Sequence, residues 1–527
     1  MIKHLLDSQK KQLKRVACFL TLLVFLFLSG TQTAHAFLFN KSDVELIIRD
    51  VPYGQTWIDH LNYDLLPFWT TYEALGEDGN YPTYRCNDGS LYESSSPCPE
   101  LVTAPPSIVQ LDRDYVRANS RQVFAYGIAY NLTGDSQYLQ YAKEGVDYLI
   151  DNALVNMGTE GAYTYFDQYG NGLPAQEQRI SQDLTYALSG LAFFYYLTRD
   201  PDVLQHIVNV KDYIFDYYYD EEWGLISWSK TSYQDGTMQT VSSEQRELVA
   251  QLDQIYAYMM LVTPILPTDF NGVNLKQAWE DDLVHLATIM SEQFYSPDKN
   301  LFWGAITDIS DKTLETDHTD FGHSIKTLWL IYEIGKLTGN YDLVLFAQEA
   351  APPILEEAYL PDGTWGSKPM LDGTVNPDKE WWILAELDQV AATFALRDPS
   401  YAKYLPNTYA FWLDYIVDHT NHGVWHLLTY DDLTGTYNVD LTFPKQHSWK
   451  NAFHSFEHAM VGYLTGQELH DMDSELYFAF KDGIATPDVT EIRPYTYAGK
   501  VKSIADGDGG VSITGYGKQL VTFTDIR

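Results

Sequence analysis

A helical repeat of about 65 residues is the feature of this sequence that most restricts its fold. Twelve segments place apolar residues at helical spacing, and short turns rich in glycine, aspartate and aromatic residues separate many of them. The segments begin near Trp57, Asp114, Ser136, Ser181, Asp202, Glu244, Leu275, Asp320, Tyr341, Lys379, Tyr401 and Trp449. One helix–turn–helix unit cannot bury its apolar face alone, so neighbouring units must stack on one another.

The second helix of each unit carries polar residues within an otherwise apolar stretch. We chose one representative from each of these helices, and successive representatives are 63 to 72 residues apart. The representatives are Arg121, Tyr186, Gln251, His323, Glu386 and His454. Six units of near-constant length predict an all-α (α/α)6 barrel, in which the polar residues of six inner helices meet at one mouth.

The N-terminal segment differs from the repeat. Basic residues precede the apolar run Val16–Leu28, and Ala34-His35-Ala36 follows it, which is typical of a cleaved signal peptide. The sequence therefore predicts a signal peptide over 1–36 and export to the periplasm or the cell exterior. An uncleaved membrane anchor is the alternative.

The C-terminal segment changes from a helical to an alternating pattern. The barrel is expected over 37–470, and a small β-rich extension over 471–527. Strands are predicted at Leu476–Phe480, Glu491–Val501 and Gln519–Phe523, with a turn at 506–510. The sequence assigns no role to this extension.

Charge and cysteine content restrict the partners. The net charge of −38 disfavours nucleic acid and anionic membrane surfaces, and favours a neutral substrate. The 40 tyrosines and 13 tryptophans are typical of surfaces that stack on sugars, although core packing explains most aromatic residues. We expect a small-molecule carbohydrate substrate and no membrane contact after signal cleavage, and the oligomeric state is left open. In an oxidising compartment Cys86 and Cys98 are expected to form a disulfide, whereas Cys18 belongs to the signal peptide.

Two histidines on predicted inner helices are candidate acid–base catalysts. His323 opens one amphipathic helix, and His454 lies within another. Imidazole titrates near neutral pH, so two that face one cavity could remove a proton next to a carbonyl and return it to the opposite face. The alternative for each is a hydrogen-bonded structural histidine.

Aromatic and charged residues on the same helices are candidates for binding. Trp381 and Trp382 are adjacent, so at most one of them can face the cavity. The other functional interpretations are a carboxylate that accepts sugar hydroxyls at Glu386 and a second stacking platform at Trp449. Core packing is the alternative for the tryptophans.

Three arginines, Arg113, Arg117 and Arg121, recur every four residues and would share one helix face. Arg121 adjoins the apolar stripe and is the best candidate to point inward, where it could stabilise an enediolate oxygen. A solvated face with ion pairs is the alternative.

Two metal interpretations compete with these. His454 to His458 matches H-x-x-E-H, with Glu457 as the base, and His419, His422 and His426 form a second cluster. A ring of helices is an unusual fold for the zinc site of an H-x-x-E-H motif. The second histidine cluster is explained by a loop at the rim of the barrel. No metal or cofactor is predicted, and no serine-hydrolase, P-loop or dinucleotide motif is present.

The motifs resemble those of the N-acylglucosamine 2-epimerase and cellobiose 2-epimerase superfamily over about residues 55–467. The blocks that carry the resemblance are Arg121-Gln122-Val123-Phe124, Asp320-Phe321-Gly322-His323, Lys379-Glu380-Trp381-Trp382 with Glu386, and Trp449-Lys450-Asn451-Ala452-Phe453-His454. The resemblance implies an (α/α)6 barrel that interconverts sugars at C2 without a metal or redox cofactor. It implies His323 and His454 as the paired catalysts, Arg121 on a substrate oxygen, Trp382 and Glu386 on the sugar, and Trp449 stacked on it.

The chain departs from the family pattern at four positions, one of which is Leu384, where the family normally carries Gln after the Trp-Trp pair. Lys326 stands where the family usually carries Glu, and Glu457 where it usually carries Arg. A swapped ion pair between these two residues is one hypothesis. Gln251 replaces a histidine that helps ring opening in cellobiose epimerases. Lys326, Glu457, Gln251 and Tyr186 complete the predicted substrate-binding set.

The sequence thus predicts an exported epimerase or aldose–ketose isomerase acting at C2 of a neutral sugar through an enediol. N-acylhexosamines, aldoses and β-linked disaccharides are the candidate substrates. One alternative is an (α/α)6 glycoside hydrolase or lyase using carboxylates such as Asp320 and Glu386. Another is a carbohydrate-binding protein without catalytic activity.

Overall fold

The computed structural model describes residues 41–174, 179–234, 237–240, 245–485 and 487–527. The predicted signal peptide and Cys18 lie outside the described residues. Residues 44–527 form one compact unit. Within the described ranges, no helix has both the length and the apolar character needed to cross a membrane.

Within the described residues, twelve helices form a double ring, which confirms the predicted (α/α)6 barrel. The outer helices are α1 (Gly54–His60, continued by Leu61–Leu65 and Leu66–Trp69), α3 (Ser136–Tyr148 and Leu149–Ala153), α5 (Pro201–Tyr217), α7 (Leu275–Ile289 and Met290–Phe294), α9 (Tyr341–Ala358) and α11 (Leu405–Phe411 and Trp412–Ile416). The inner helices are α2 (Val116–Thr133), α4 (Ser181–Ala187 and Ser189–Thr198), α6 (Leu248–Gln254, Ile255–Met259 and Met260–Val262), α8 (Phe321–Thr338), α10 (Trp381–Ala395) and α12 (Phe453–Leu469).

Burial explains why the inner and outer helices differ in their pattern of apolar residues. The inner helices are buried on nearly all faces, whereas outer helices such as α3 and α5 bury one stripe and expose the other. Inner helix α8 is capped at its N-terminus by Asp320, whose carboxylate accepts the His323 backbone N–H at 2.8 Å, and at its C-terminus by Gly339 in the left-handed region. This capping places His323 in the first turn of its helix, at the mouth.

Short hairpins and small sheets connect the helices around the barrel. Their strands are Arg113–Tyr115, Tyr165–Asp167, Gly172–Leu173, Tyr219–Asp220, Leu225–Ile226, Thr231–Gln234, Thr237–Thr240, Tyr295–Ser296, Leu301–Phe302, Lys368–Pro369, Val375–Asn376, Lys379–Glu380, Leu427–Asp431 and Thr436–Val439. Arg113 therefore lies in a strand, and the helix that carries Arg117 and Arg121 begins only at Val116. Short helices occupy Lys41–Asp50, Tyr72–Leu75 and Pro99–Thr103.

Cys86 and Cys98 lie in the long loop between α1 and α2. The structure joins them as a disulfide, with Cα atoms 5.9 Å apart. Their oxidation in the exported protein stays a prediction.

The C-terminal extension forms a three-stranded antiparallel sheet. Tyr516–Thr524 is its central strand, between Ser474–Lys481 and Lys500–Ile513. The predicted strand Glu491–Val501 is wrong over most of its length, because the strand begins at Lys500. The predicted turn at 506–510 lies inside that strand, where the register shifts, and the actual turn is at 514–515.

This extension packs on the end of the barrel opposite the mouth. Near the C-terminal end of α2, the Tyr130 hydroxyl donates to the Phe478 carbonyl at 2.9 Å, and the Asn131 amide donates to the Tyr477 carbonyl at 2.8 Å. The α4 residue Tyr196 donates to the Arg493 carbonyl at 2.6 Å. The extension therefore closes the floor of the barrel.

Close packing between α1 and α12 generates a stability prediction. Gly462 of α12 lies against the fully buried Trp57 ring, and a Cβ atom at Gly462 would overlap that ring. We expect Gly462→Ala to lower the free energy of unfolding by ~1–3 kcal/mol, as overpacking of a core does. Denaturant unfolding of the variant measures this loss.

The matched control combines Gly462→Ala with Trp57→Leu, which removes the overlapping ring. The losses of the two single variants should add to more than that of the double variant. Strictly additive losses would contradict the contact.

Candidate active site

A cavity of about 540 Å³ opens at the mouth of the barrel, at the N-terminal ends of the inner helices. Seven of the ten residues that sequence predicts for the site line it: Arg121, Tyr186, His323, Lys326, Trp382, Trp449 and His454. The other three, Gln251, Glu386 and Glu457, are buried in the barrel wall without lining this cavity.

His323 is held by the carboxylate that caps its own helix. Its Nδ1 lies 2.7 Å from Asp320 Oδ2. Burial lowers the pKa of His323 below the ordinary histidine value, while the Asp320 charge acts against this shift. The carboxylate therefore orients the ring and stabilises the imidazolium form when His323 carries a proton.

His454 stands in the first turn of α12 and is 6% exposed. Its Nδ1 lies 3.2 Å from the Tyr256 hydroxyl and 3.6 Å from Glu386 Oε1. Burial, helped by the charges of Arg121 and Lys326, lowers the pKa of His454 well below the ordinary value. The surroundings of the ring therefore favour its neutral form.

Trp382 lies between the two histidines. Its ring centroid is 4.6 Å from that of His323 and 6.3 Å from that of His454. Gly322 permits this placement, because a Cβ there would come within 2.6 Å of the indole. Trp381 is buried instead, so one of the two tryptophans faces the cavity, as the sequence predicts.

Arg121 and Trp449 form one wall of the cavity. The Arg121 guanidinium lies over the rings of Tyr186 and Phe453, 4.8 Å from each centroid, and donates to the Trp449 carbonyl at 2.8 Å. A guanidinium has five N–H donors, so this contact leaves others for a substrate oxygen. Arg117 stacks on the Trp449 ring and is paired with the Asp183 carboxylate at 2.7 Å.

Lys326 does not form the predicted ion pair with Glu457. Its ammonium instead lies 3.7 Å from Asp253 Oδ1 and 3.8 Å from Glu386 Oε1. Burial raises the pKa of Glu386 to about 8, with Lys326 acting against it. Glu457 accepts hydrogen bonds from the hydroxyls of Tyr256 and Tyr495.

Gln251 has a structural role. Its side chain accepts from the Ile226 N–H at 2.9 Å and donates to the Ile226 carbonyl, so it is committed to the hairpin before α6. The imidazole of His318, from the loop before α8, lines the cavity instead, with its centroid 4.9 Å from that of His323. Its Nδ1 lies 3.8 Å from Glu247, whose contact raises the pKa of His318 against the effect of burial.

Two more histidines line the cavity beside Trp449. The Trp449 N–H donates to His447 Nδ1 at 3.2 Å, so His447 carries its proton on Nε2 when neutral. That nitrogen lies 2.9 Å from His426 Nδ1, which must accept. His426 therefore carries its own proton on Nε2, 3.9 Å from Glu380 Oε1, and burial raises the pKa of Glu380 to about 7. This series of hydrogen bonds places the neutral Nε2–H donor of His426 in the cavity wall.

The H-x-x-E-H motif is divided between two environments. His458 Nε2 lies 2.9 Å from Asp388 and its ring packs on Trp412, whereas His454 lines the cavity. Of the second histidine cluster, only His426 lines it. In the described part of the chain, the one grouping with metal-ligand geometry is Cys86, Cys98 and Glu100, where the two sulfurs are bonded to each other.

Ten cavity residues are not among those that sequence reasoning placed in the site: Ser107, Ile108, Gln182, Asp253, Asp317, His318, Glu380, His426, Phe443 and His447. The two inner-helix residues, Gln182 and Asp253, had a signal, because they are polar residues in apolar stretches. The other eight lie in connections or short strands, where no periodicity shows which way a side chain points.

The fold and the cavity define a class of protein: an (α/α)6 barrel with several imidazoles around one pocket. No protein-family model matches the chain. Over 291 residues, 51% of this chain and 67% of the relative, it is 23% identical to the cellobiose 2-epimerase of Bacteroides fragilis. Over 411 residues, 75% of this chain and 94% of the relative, it is 23% identical to the cellobiose 2-epimerase of Eubacterium cellulosolvens.

A solved structure supports the same comparison. The crystal structure of a sugar epimerase from a ruminal bacterium matches with a TM-score of 0.61 at 18% identity, over 78% of this chain and 99% of that one. At this identity the structure shows the shared fold. With the two sequence relatives, the predicted resemblance to the N-acylglucosamine 2-epimerase and cellobiose 2-epimerase superfamily is confirmed.

The double role of Asp320 generates a prediction. Asp320→Asn keeps a good helix cap but removes the charge that favours imidazolium, so the pKa of His323 should fall further. A histidine NMR titration of both proteins measures this shift. Asp320→Ala is the control for the cap and should also lose ~1 kcal/mol of stability. An unchanged or raised His323 pKa in Asp320→Asn would refute the assignment.

Proposed function

We propose that the protein is a sugar epimerase or isomerase that moves a proton at C2 of a neutral sugar. The observation that supports this most strongly is the placement of His323 and His454 in one cavity, with Trp382 between them. Each imidazole has its Nδ1 occupied by a protein group, which leaves Nε2 for the substrate.

The proposed reaction begins with the open-chain sugar, whose C1 carbonyl makes the C2 proton acidic. Neutral His454 removes this proton, the C2–H electrons form the C1–C2 double bond, and charge develops on O1. Arg121 donates hydrogen bonds to O1 and stabilises the enediolate. His323, whose imidazolium form is stabilised by Asp320, donates a proton to the opposite face of C2 and gives the epimer. Transfer of the O2 proton to O1, followed by proton delivery at C1 instead of C2, would give the ketose.

Ring opening needs an acid or base near the anomeric oxygen. His318 is a suitable group, because it lines the cavity beside His323 and its contact with Glu247 raises its pKa. It would supply from a loop the imidazole that the family pattern places at the position of Gln251.

The charges at the cavity support a neutral substrate. Arg121 and Lys326 line the cavity together with the carboxylates of Asp253 and Asp317, and Lys326 lies 3.7 Å from Asp253, so no excess of positive charge is available for a polyanion. His426 and Glu380 would bind hydroxyls, and Trp382 and Trp449 would stack on sugar faces. Since both sequence relatives are named for cellobiose, a β-linked disaccharide is the first substrate to test.

The site of action is a separate proposal. The segment 1–36 supports export, which would bring the enzyme into contact with free oligosaccharides. N-terminal sequencing of the secreted protein tests it: a chain that begins at Phe37 would agree, and a chain that keeps residues 1–36 would not.

The hydrolase alternative has weak support from the geometry. Neither Asp320 nor Glu386 lines the cavity, and Asp320 is engaged with His323. A pair of glycosidase carboxylates must both reach the scissile bond.

The first prediction concerns the two histidines. In D2O the protein should convert its substrate into an epimer with deuterium at C2 or a ketose with deuterium at C1, which proton NMR detects. His323→Ala and His454→Ala should each reduce turnover at least ~10²-fold, the usual contribution of a general acid or base. His285→Ala, on outer helix α7, is the matched control and should keep full activity.

Normal rates in either site variant would exclude the mechanism. Release of reducing ends from polysaccharides would instead identify a hydrolase, and tight sugar binding without exchange would identify a binding protein.

The second prediction concerns pH. Because His454 must be neutral to accept a proton and its pKa is lowered, the acid limb of kcat/KM should lie below pH ~6.5, the ordinary histidine value. Lys326→Met removes a positive charge that lowers the His454 pKa, so it should move this limb to higher pH. The pH–rate profiles of the parent protein and of Lys326→Met measure the acid limb of each. An acid limb at or above pH ~6.5 in the parent protein would contradict the assignment of His454 as the base.

A further inference from the structure

The C-terminal extension lies beyond the segment that resembles the epimerases, yet one of its side chains enters the barrel. Tyr495 is 4% exposed, and its hydroxyl donates to Glu457 Oε1 beneath the cavity. Tyr256 donates to the other oxygen, Oε2, of the same carboxylate. The tyrosine from the extension and the tyrosine from α6 therefore share one buried carboxylate.

The hydrogen bonds can be followed from this carboxylate to the catalytic histidine. The Tyr256 hydroxyl has a single proton, which it gives to Glu457. Its oxygen, 3.2 Å from His454 Nδ1, can then only accept from that nitrogen. His454 must therefore carry its proton on Nδ1, and its Nε2 lone pair is left for the cavity.

The neighbouring charged groups also favour a proton on His454 Nδ1. Glu386 Oε1, on α10, also faces His454 Nδ1, and at 3.6 Å it lies outside hydrogen-bond distance. The Lys326 ammonium, on α8, faces Glu386 and lies 4.3 Å from the centroid of the Tyr256 ring.

The ionisation of Glu457 decides the direction of these hydrogen bonds. An unionised Glu457 could itself donate to Tyr256, which would free the Tyr256 proton to point at His454.

The backbone of the extension holds Tyr495 in place. Its φ of +60° is in the left-handed region, which is uncommon for a non-glycine residue. Its N–H donates to the Tyr196 hydroxyl at 2.9 Å, and the same hydroxyl donates to the Arg493 carbonyl. Two contacts with α4 thus fix a strained conformation that aims the side chain at Glu457.

We propose that Tyr495 is a positioning residue that keeps Glu457 ionised and thereby holds His454 in its Nδ1–H tautomer, the form that can act as a base. The extension would then contribute a residue that the proposed active site needs. This inference rests on the proposed role of His454 as the base.

The test uses Tyr495→Phe in the full chain. Nitrogen-15 NMR of histidine-labelled protein distinguishes the two tautomers, and the His454 signals are assigned by their loss in His454→Gln. The parent protein should show Nδ1–H. Tyr495→Phe should move the signature toward Nε2–H and lower kcat about tenfold or more, with KM within about twofold.

The matched control is Tyr497→Phe, from the same extension. The Tyr497 hydroxyl shares a hydrogen bond with Thr393 at 2.9 Å, whereas the Glu457 oxygens accept from Tyr256 and Tyr495, so the tautomer and kcat should stay unchanged. Glu457→Met, which removes the acceptor, is the second variant if Tyr495→Phe fails to fold, and it should give the same tautomer change because the Tyr256 proton is then free for His454. Parent-like signatures in either folded variant, or an Nε2–H tautomer in the parent protein, would overturn the proposal. Because the NMR signature needs no substrate, it tests the positioning role even if the proposed reaction is wrong.

Discussion

Closure of the inner ring is the constraint on which the site depends. The segment that leads into α12 meets α2 through the Asn451 amide, which donates to the Ala118 carbonyl at 2.8 Å, and through Arg121 on the Trp449 carbonyl. Phe453 packs on Phe124 in the same contact. These bonds join residues more than 300 positions apart in the chain. They bring His454 and Trp449 beside Arg121, so the first and last units of the barrel build one wall of the cavity.

The same closure gives the site its electrostatic character. All six inner helices present their N-terminal ends to the mouth, where their dipoles favour developing negative charge such as an enediolate. Burial then keeps His454 neutral and raises the pKa of Glu386 and Glu380. The cavity and the residues directly beneath it therefore carry fewer charges at neutral pH than their carboxylates would suggest, which suits an uncharged sugar.

The ring could be predicted from sequence because inner and outer helices repeat their apolar residues at a helical period. The inner-helix residues Arg121, His323 and His454 were found for the same reason. Helical spacing indicates the face of a helix on which a residue lies, but not how far below the mouth of the barrel it lies. Glu386 and Glu457 were therefore predicted in the cavity, and they lie beneath it. Loop residues such as His318 have no periodic signal.

The extension shows a further limit of sequence patterns. Alternation around Tyr495 and Tyr497 resembles a strand, but these residues alternate because their rings enter the barrel. The departure at Glu457 has a physical reason in the same place: a carboxylate there is satisfied by two tyrosine hydroxyls, one of them from the extension. The departure at Lys326 is satisfied by Asp253 and Glu386.

The central claim is that two histidines act on opposite faces of one sugar carbon. The most direct measurement is the isotope content at C2 of both substrate and product, recovered from D2O at low conversion. Two separate bases predict one deuterium in the product, delivered by His323, while recovered substrate keeps its protium. A product that retains the substrate's own C2 proton would mean that a single group removes and returns it, and would contradict the account.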